Sequence, residues 1–223
     1  MNLLRKLKIK IRAWKLARRT PQSIFSGYFN QNKWGDPESR SGKGSNLAST
    51  AELRPKLEAL IDELGAKSFL DVPCGDYFWM QHVEKAGVAY TGGDIVPELI
   101  AENQARFGTE NVQFEIIDLI AGPVPAADII FVRDCLVHLS NEHVAAALAN
   151  IRASGGKYLL TTVFVNAAVN EDISTGQWRE LDVRKAPFNL PEPERLIDEG
   201  AATVRGQRTG KMLGLWKLSE LKN

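Results

Sequence analysis

From Ala51 onward, short apolar runs alternate with longer amphipathic stretches, and few folds accommodate that order. Ala51 to Leu64 reads as a helix, with Ser49 or Thr50 as its N-cap and Gly65 as its stop. An apolar run from Ser68 to Pro73 follows, then a turn at Cys74-Gly75-Asp76 and a helix expected over Tyr77 to Ala86. Further strands are expected at Tyr90–Ile95, Val112–Asp118, Asp128–Val132 and Tyr158–Phe164. Between them lie helices beginning at Pro97 and spanning Asn141–Ala153. A helix near Glu192–Glu199 and a strand pair, Ala202–Val204 with Leu213–Leu218, complete the reading. The implied class is α/β, a Rossmann-like doubly wound sheet, mostly parallel with an antiparallel C-terminal strand pair.

In such sheets a ligand lies at the carboxyl ends of the strands, where strand order reverses. Asp71 lies in the first strand, and the Cys74-Gly75 turn lets backbone approach a ligand. Asp94 ends the second strand, where a carboxylate can accept both hydroxyls of a ribose. Asp118 ends the third strand, placed to read an adenine amino group. Arg133-Asp134-Cys135-Leu136-Val137-His138 follows the fourth and faces the reacting end of a ligand. Taken singly, Asp94 also reads as a helix N-cap, Asp118 as a solvated strand end and His138 as a histidine starting a helix. The four in this order on successive strands point to one site.

Phe69-Leu70-Asp71-Val72-Pro73-Cys74-Gly75-Asp76 resembles the acidic, glycine-rich first loop of the class I S-adenosylmethionine-dependent methyltransferases, in its Asp-x-Gly-Cys-Gly form. The resemblance spans about Glu52 to Leu218. It implies S-adenosyl-L-methionine as cofactor, with contacts from Asp71, Pro73, Cys74, Gly75, Asp94, Ile95, Asp118, Leu119 and Arg133. Pro73 and Tyr77 depart from the glycine pattern, which implies altered packing over the methionine portion. The stretch Trp34–Ser45, together with Arg133–His138, resembles a bacterial subgroup associated with surface-glycan genes.

The implied chemistry is in-line methyl displacement, in which the cofactor carries the activated methyl and the protein holds the nucleophile in line. If the acceptor is a hydroxyl, His138 is the candidate base, and Asp134 orients that imidazole, binds substrate or is structural. Trp34, Ser41, Trp178 and Arg179 are expected to bind the acceptor, a small molecule or glycan sugar, under a loop spanning Asn166–Leu190. No metal is expected, because His138 and His143 do not form a His-Glu-x-x-His pattern. Neither Asp-Pro-Pro-Tyr nor Asn-Pro-Pro-Tyr occurs, which disfavours methylation of nucleic-acid bases, and two cysteines are too few for radical chemistry. A nicotinamide dehydrogenase would need Gly-x-Gly-x-x-Gly where the chain has Val72-Pro73-Cys74-Gly75-Asp76-Tyr77. The standing alternative is a non-catalytic module that binds the same cofactor or docks on a partner.

The net charge of +1 conceals an asymmetry: residues 1–33 carry nine basic residues and no acid, leaving a net of −8 on the remainder. Three units follow: a basic amphipathic arm over 1–30, a Gly/Ser-rich lid over 31–50 and a catalytic body over 51–223. Leu3, Leu4, Leu7, Ile11 and Trp14 share one helical face, which either meets an anionic membrane surface or packs on the body. The Gly42-Lys43-Gly44-Ser45 stretch is not a phosphate loop, since no strand precedes it and Gly35 stands too far ahead. Without a hydrophobic signal core, the chain is read as cytoplasmic, with peripheral contact to the inner face of the membrane through residues 1–20.

Overall fold

A computed structural model describes residues 18–200 and 210–221, with Ile11, Trp14 and Leu16 and the backbone of 203–204 and 207–208. Helix α1 (Pro21–Asn30) comes first, then α2 (Leu53–Glu63) and β1 (Ser68–Asp71). Strand β2 (Ala89–Asp94), α3 (Pro97–Phe107), β3 (Val112–Ile116) and β4 (Ile129–Val132) follow. The chain continues through α4 (Asn141–Ala153), β5 (Tyr158–Phe164), β6 (Arg195–Asp198), a hairpin of β7 (Thr203–Val204) with β8 (Gln207–Arg208), and β9 (Lys211–Lys217).

The main sheet has seven strands in the order β3-β2-β1-β4-β5-β9-β6. Strands β1 to β5 pair in parallel, and β9 runs antiparallel to both β5 and β6. Strand β4 shows why the sheet needs cover on both faces. Ile130 and Val132 join the α4 residues Val144, Leu148 and Ile151 on one side, whereas Ile129 and Phe131 join Leu53, Leu57 and Leu60 of α2 on the other. All four β4 residues are fully buried, as expected of a central parallel strand. Strand order reverses between β1 and β4, so the crevice opens beyond Asp71 and Val132.

Two expected helices are absent. Over 77–86 there are turns and a single 3-10 turn at Met80–His82. The cause is Tyr77, whose ring packs 5.0–5.3 Å from Tyr90, Phe107 and Phe114 while its backbone takes φ +56°. A helix cannot begin from that left-handed conformation. Lys85 Nζ then donates to the carbonyls of Met80 and Val83 at 2.7 and 2.6 Å, partners that a helix would have supplied. Over 192–199 the structure has the edge strand β6. Pro191 and Pro193 interrupt helical bonding there, and Arg195–Asp198 pair with Met212–Leu215 of β9. The antiparallel ending is therefore β6 with β9, and 203–204 pair with 207–208 instead.

Helix α1 is capped by the Thr20 hydroxyl, which accepts from the Ser23 N–H. Its Phe29 packs with Val96 and Leu99, and Ile24 and Tyr28 pack with Leu16. Helix α1, which lies within the expected arm, thus buries apolar side chains against α3. Of the arm's apolar face, Ile11 and Trp14 are exposed, while Leu3, Leu4 and Leu7 lie outside the described residues. No described helix is long and apolar enough to cross a membrane.

Candidate functional site

The β1 loop departs from the strand with the Val72 N–H donating to Phe131 O at 2.9 Å and the Cys74 N–H to Gly93 O at 2.8 Å. Gly75 follows at φ +54°. A Cβ there would stand 2.1 Å from Ser41 Oγ, so glycine is required both by conformation and by what rests on it. The segment Ser39–Ser45 lies across this loop. Ser39 Oγ and Ser41 Oγ each donate to Asp76 Oδ1 at 3.0 Å, and the Arg40 N–H donates to Asp76 Oδ2 at 2.8 Å. Its far end is held by Arg133, whose Nη2 donates to Gly44 O at 2.9 Å. A strap fixed at both ends therefore roofs the crevice.

Beneath it is a cavity of about 540 Å³, bordered by Asp71, Pro73, Cys74, Gly75, Asp94, Ile95, Asp118, Leu119 and Arg133. The same cavity is bordered by Trp34, Ser41, Asp134, His138 and Trp178. Of the expected site residues only Arg179 lies elsewhere. Its guanidinium donates to the carbonyls of Leu136 and Val137 and to Asn141 Oδ1, tying the 3-10 turn Leu136–His138 to the start of α4. It cannot also reach an acceptor in the cavity, and its expected binding role is replaced by a structural one.

Each acid has a distinct environment. Asp71 is buried, with the Tyr90 hydroxyl donating to its Oδ2 at 2.7 Å. Burial pushes its carboxyl up to about 7, against the pull of that hydroxyl and of Lys85 and Arg133. Burial likewise pushes Asp94 up to about 6, partly offset by the N–H groups of Val96, Gly75 and Ile95. Asp118 Oδ1 accepts from the N–H groups of Ile120 and Ala121 at 2.8 and 3.2 Å. Its side chain is half-buried at the cavity.

At the other end of the cavity, His138 Nδ1 lies 2.9 Å from Gln177 O. A carbonyl only accepts, so Nδ1 carries the proton and the neutral ring keeps its Nε2 lone pair. Burial lowers the imidazole's pKa, while the Gln177 carbonyl and the Asp134 charge act against that shift. Asp134 stands at φ +52° with its N–H donating to Thr162 Oγ1 at 2.9 Å. Its Oδ2 lies 2.6 Å from Lys211 Nζ and 3.5 Å from Arg133 Nη1. Burial pushes this carboxyl up, but Lys211 and Arg133 outweigh it and hold it at about 2. The imidazole is thus oriented by a backbone carbonyl, and Asp134 is engaged by cations.

The cluster is completed by Glu199, whose Oε2 lies 2.7 Å from Arg133 Nε and 3.2 Å from Lys211 Nζ. Two cations and two anions compensate one another at the cavity's edge. Sequence reasoning missed Glu199, Lys211 and the strap-binding role of Asp76. Asp76 was within the quoted loop motif, but Glu199 and Lys211 lie 66 and 77 residues beyond their partners, with no local pattern to mark them.

Residues 69–154 match a family model described as a methyltransferase domain. No curated protein matches the sequence significantly. Among solved structures, the chain is similar to Burkholderia thailandensis 1,6-didemethyltoxoflavin-N1-methyltransferase, with bound 1,6-didemethyltoxoflavin and S-adenosylhomocysteine. That match has 19% identity and a TM-score of 0.58, covering 88% of this chain and 86% of the other. It is also similar to magnesium protoporphyrin IX methyltransferase from Synechocystis PCC 6803 with bound SAM, at 16% identity, TM-score 0.56 and coverage of 89% and 97%. The mitomycin 7-O-methyltransferase MmcR matches at 17% identity and TM-score 0.59, covering 85% of this chain and 60% of that one. At these identities the likeness is one of fold.

Proposed function

We propose, on the sheet topology and the match of residues 69–154 to a methyltransferase domain, that the chain is a class I S-adenosylmethionine-dependent methyltransferase that methylates a hydroxyl of a small molecule, a surface-glycan sugar included, with His138 as the base. One observation carries this reading: a single cavity is bordered both by Asp71–Gly75, Asp94 and Asp118 and by Asp134 and His138. Its volume of about 540 Å³ lies within the roughly 300–1,000 Å³ range of ligand sites.

The residues present fit S-adenosylmethionine. Asp94, buried at the end of β2, is placed to accept two ribose hydroxyls, which would compensate the burial that now raises its pKa. Ile95 and Leu119 offer apolar surface for an adenine, and Asp118 keeps Oδ2 for its amino group. When bound, the cofactor supplies a methyl already activated on a sulfonium sulfur.

His138 Nε2 takes the proton of the acceptor hydroxyl, and Asp134 borders the same end of the cavity, held by Lys211 and Arg133. Asp71–Gly75, Asp94 and Asp118 would hold the cofactor, which would supply its methyl to the acceptor oxygen and leave as S-adenosylhomocysteine, and His138 gives the proton it has taken to solvent. Walls that hold these groups in line contribute through positioning. Residues 1–20 dock peripherally on an anionic membrane surface from the cytoplasmic side, a reading supported by the exposure of Ile11 and Trp14.

Calorimetric titration with S-adenosylhomocysteine tests the proposal. Wild type binds, and Asp94→Ala loses at least tenfold in affinity. His138→Ala keeps that affinity but loses about 10²-fold or more in methyl transfer, the lower range for a general base. Absence of binding to wild type refutes the cofactor assignment, and binding without transfer to any fraction of cell extract identifies a non-catalytic module.

A further inference from the structure

The acceptor end of the cavity combines aromatic walls with internally neutralised charge. Trp34 is fixed edge-on to Tyr28 with ring centroids 5.6 Å apart, and its ring lies 6.1 Å from that of His138. Trp178 packs edge-on to Phe164 at 5.8 Å. The backbone around Trp178 is bound to the 3-10 turn at His138: the Gly176 N–H donates to His138 O and the Arg179 N–H to Val137 O, at 2.8 and 3.1 Å. The backbone on either side of Trp178 is thus tied to the turn that carries His138, and Trp178 borders the same cavity while remaining 55% exposed. A large aromatic fixed at a cavity wall with half its surface uncovered is shaped to receive a flat apolar face.

The polar groups at this end narrow the choice. Arg133 and Lys211 are both engaged by Asp134 and Glu199. Of the other cations bordering the cavity, Arg40 pairs with Glu102 and sits over the Phe29 ring, and Lys43 stands exposed on the rim, where its charge acts on Asp36. Arg179, which could have received an anion, is turned to backbone carbonyls. A sugar brings several hydroxyls, and each one buried without a partner costs affinity. His138 Nε2 and Asp134 are both acceptors and can each take a hydroxyl proton, fewer partners than a sugar needs.

From this arrangement we infer that the acceptor is a neutral, planar aromatic molecule carrying a phenolic hydroxyl, stacked against Trp178 and Trp34 with that hydroxyl donating to His138 Nε2. The inference rests on the methyltransferase reading and narrows its acceptor, from a small molecule or glycan sugar to a phenol. Acid–base matching agrees with it. A phenol at about 10 gives its proton to an imidazole far more readily than an alkyl hydroxyl near water's value of about 15.7.

The test is calorimetry on full-length protein already saturated with S-adenosylhomocysteine, titrated separately with catechol, quercetin, glucose, rhamnose and UDP-glucose. At least one of the two phenols binds, the three sugars do not, and Trp178→Ala weakens the phenol about tenfold while leaving S-adenosylhomocysteine affinity unchanged. Trp178→Phe restores most of the loss, as a stacking role requires. Preferential binding of a sugar, failure of both phenols, or an unaltered phenol affinity in Trp178→Ala overturns the inference. Failure of S-adenosylhomocysteine itself to bind is a separate result, which removes the reading on which the inference rests.

Discussion

Asp94 illustrates how a single buried carboxylate becomes a ligand sensor. Burial holds its pKa at about 6, while a ribose hydroxyl pair needs the ionised form as acceptor. Ligand binding therefore favours loss of the proton, and affinity rises with pH through that value. S-adenosylhomocysteine should bind about tenfold more weakly at pH 5 than at pH 7.5, because one pH unit below the pKa about a tenth of the protein is competent. A flat calorimetric profile across that range refutes the assignment. At this scale the acids were legible because Asp71 and Asp94 end β1 and β2 and Asp118 lies just beyond β3, so the carboxyl edge of a parallel sheet gathers all three. Arg179 was not legible: its neighbour Trp178 does border the cavity, but the guanidinium turns to the carbonyls of Leu136 and Val137. The direction a side chain takes depends on which carbonyls the fold leaves unpaired nearby.

The β1 loop and the strap act as one element. Gly75 is the contact point, since any side chain there strikes Ser41 Oγ. Gly75→Ala should cost roughly 1–2 kcal/mol for the left-handed backbone alone, weaken S-adenosylhomocysteine binding at least tenfold, and speed limited proteolysis within residues 39–46. Gly65→Ala is the control, because Gly65 has φ +58° and nothing within 4 Å of an added Cβ. It should lose similar stability by denaturant melt and retain the affinity. Equal affinity in the two variants would detach the strap from ligand binding. Periodicity found β1 to β5, α3 and α4 because their patterns are long or bounded by clear stops. It failed over 77–86, where helical spacing competes with an aromatic cluster that draws Tyr77 into the core. It failed again at β6, whose strand character comes from pairing with β9 rather than from its own four residues.

Across the whole molecule, the basic arm read from composition includes α1, which packs on α3. A chain beginning at Gln31 would remove Phe25 and Phe29, which border the cavity, and the ring over which the Arg40 guanidinium sits at 3.6 Å. The membrane proposal is therefore tested by comparing the full chain with one beginning at Thr20, which keeps α1 and its cap. Co-sedimentation with phosphatidylserine-containing vesicles should occur for the full chain, fall several-fold without residues 1–19, and weaken as salt rises from 0.05 to 0.5 M. Equal sedimentation of both chains refutes membrane docking by the arm. The sheet topology was legible from the order of elements, whereas the Arg133–Asp134–Glu199–Lys211 cluster was not, since it forms only when β6 and β9 close the sheet.

The placement of the indoles has a practical consequence. Of five tryptophans in the chain, Trp34, Trp79 and Trp178 border the cavity, while Trp216 is buried with its Nε1–H on Pro191 O. The protein therefore carries its own optical reporter: filling the cavity shields or quenches three emitters at once, while Trp216 and the exposed Trp14 supply the background. Occupancy can be followed by intrinsic fluorescence in unlabelled protein, and removing Trp178 alone separates the signal of the acceptor end from that of the rest.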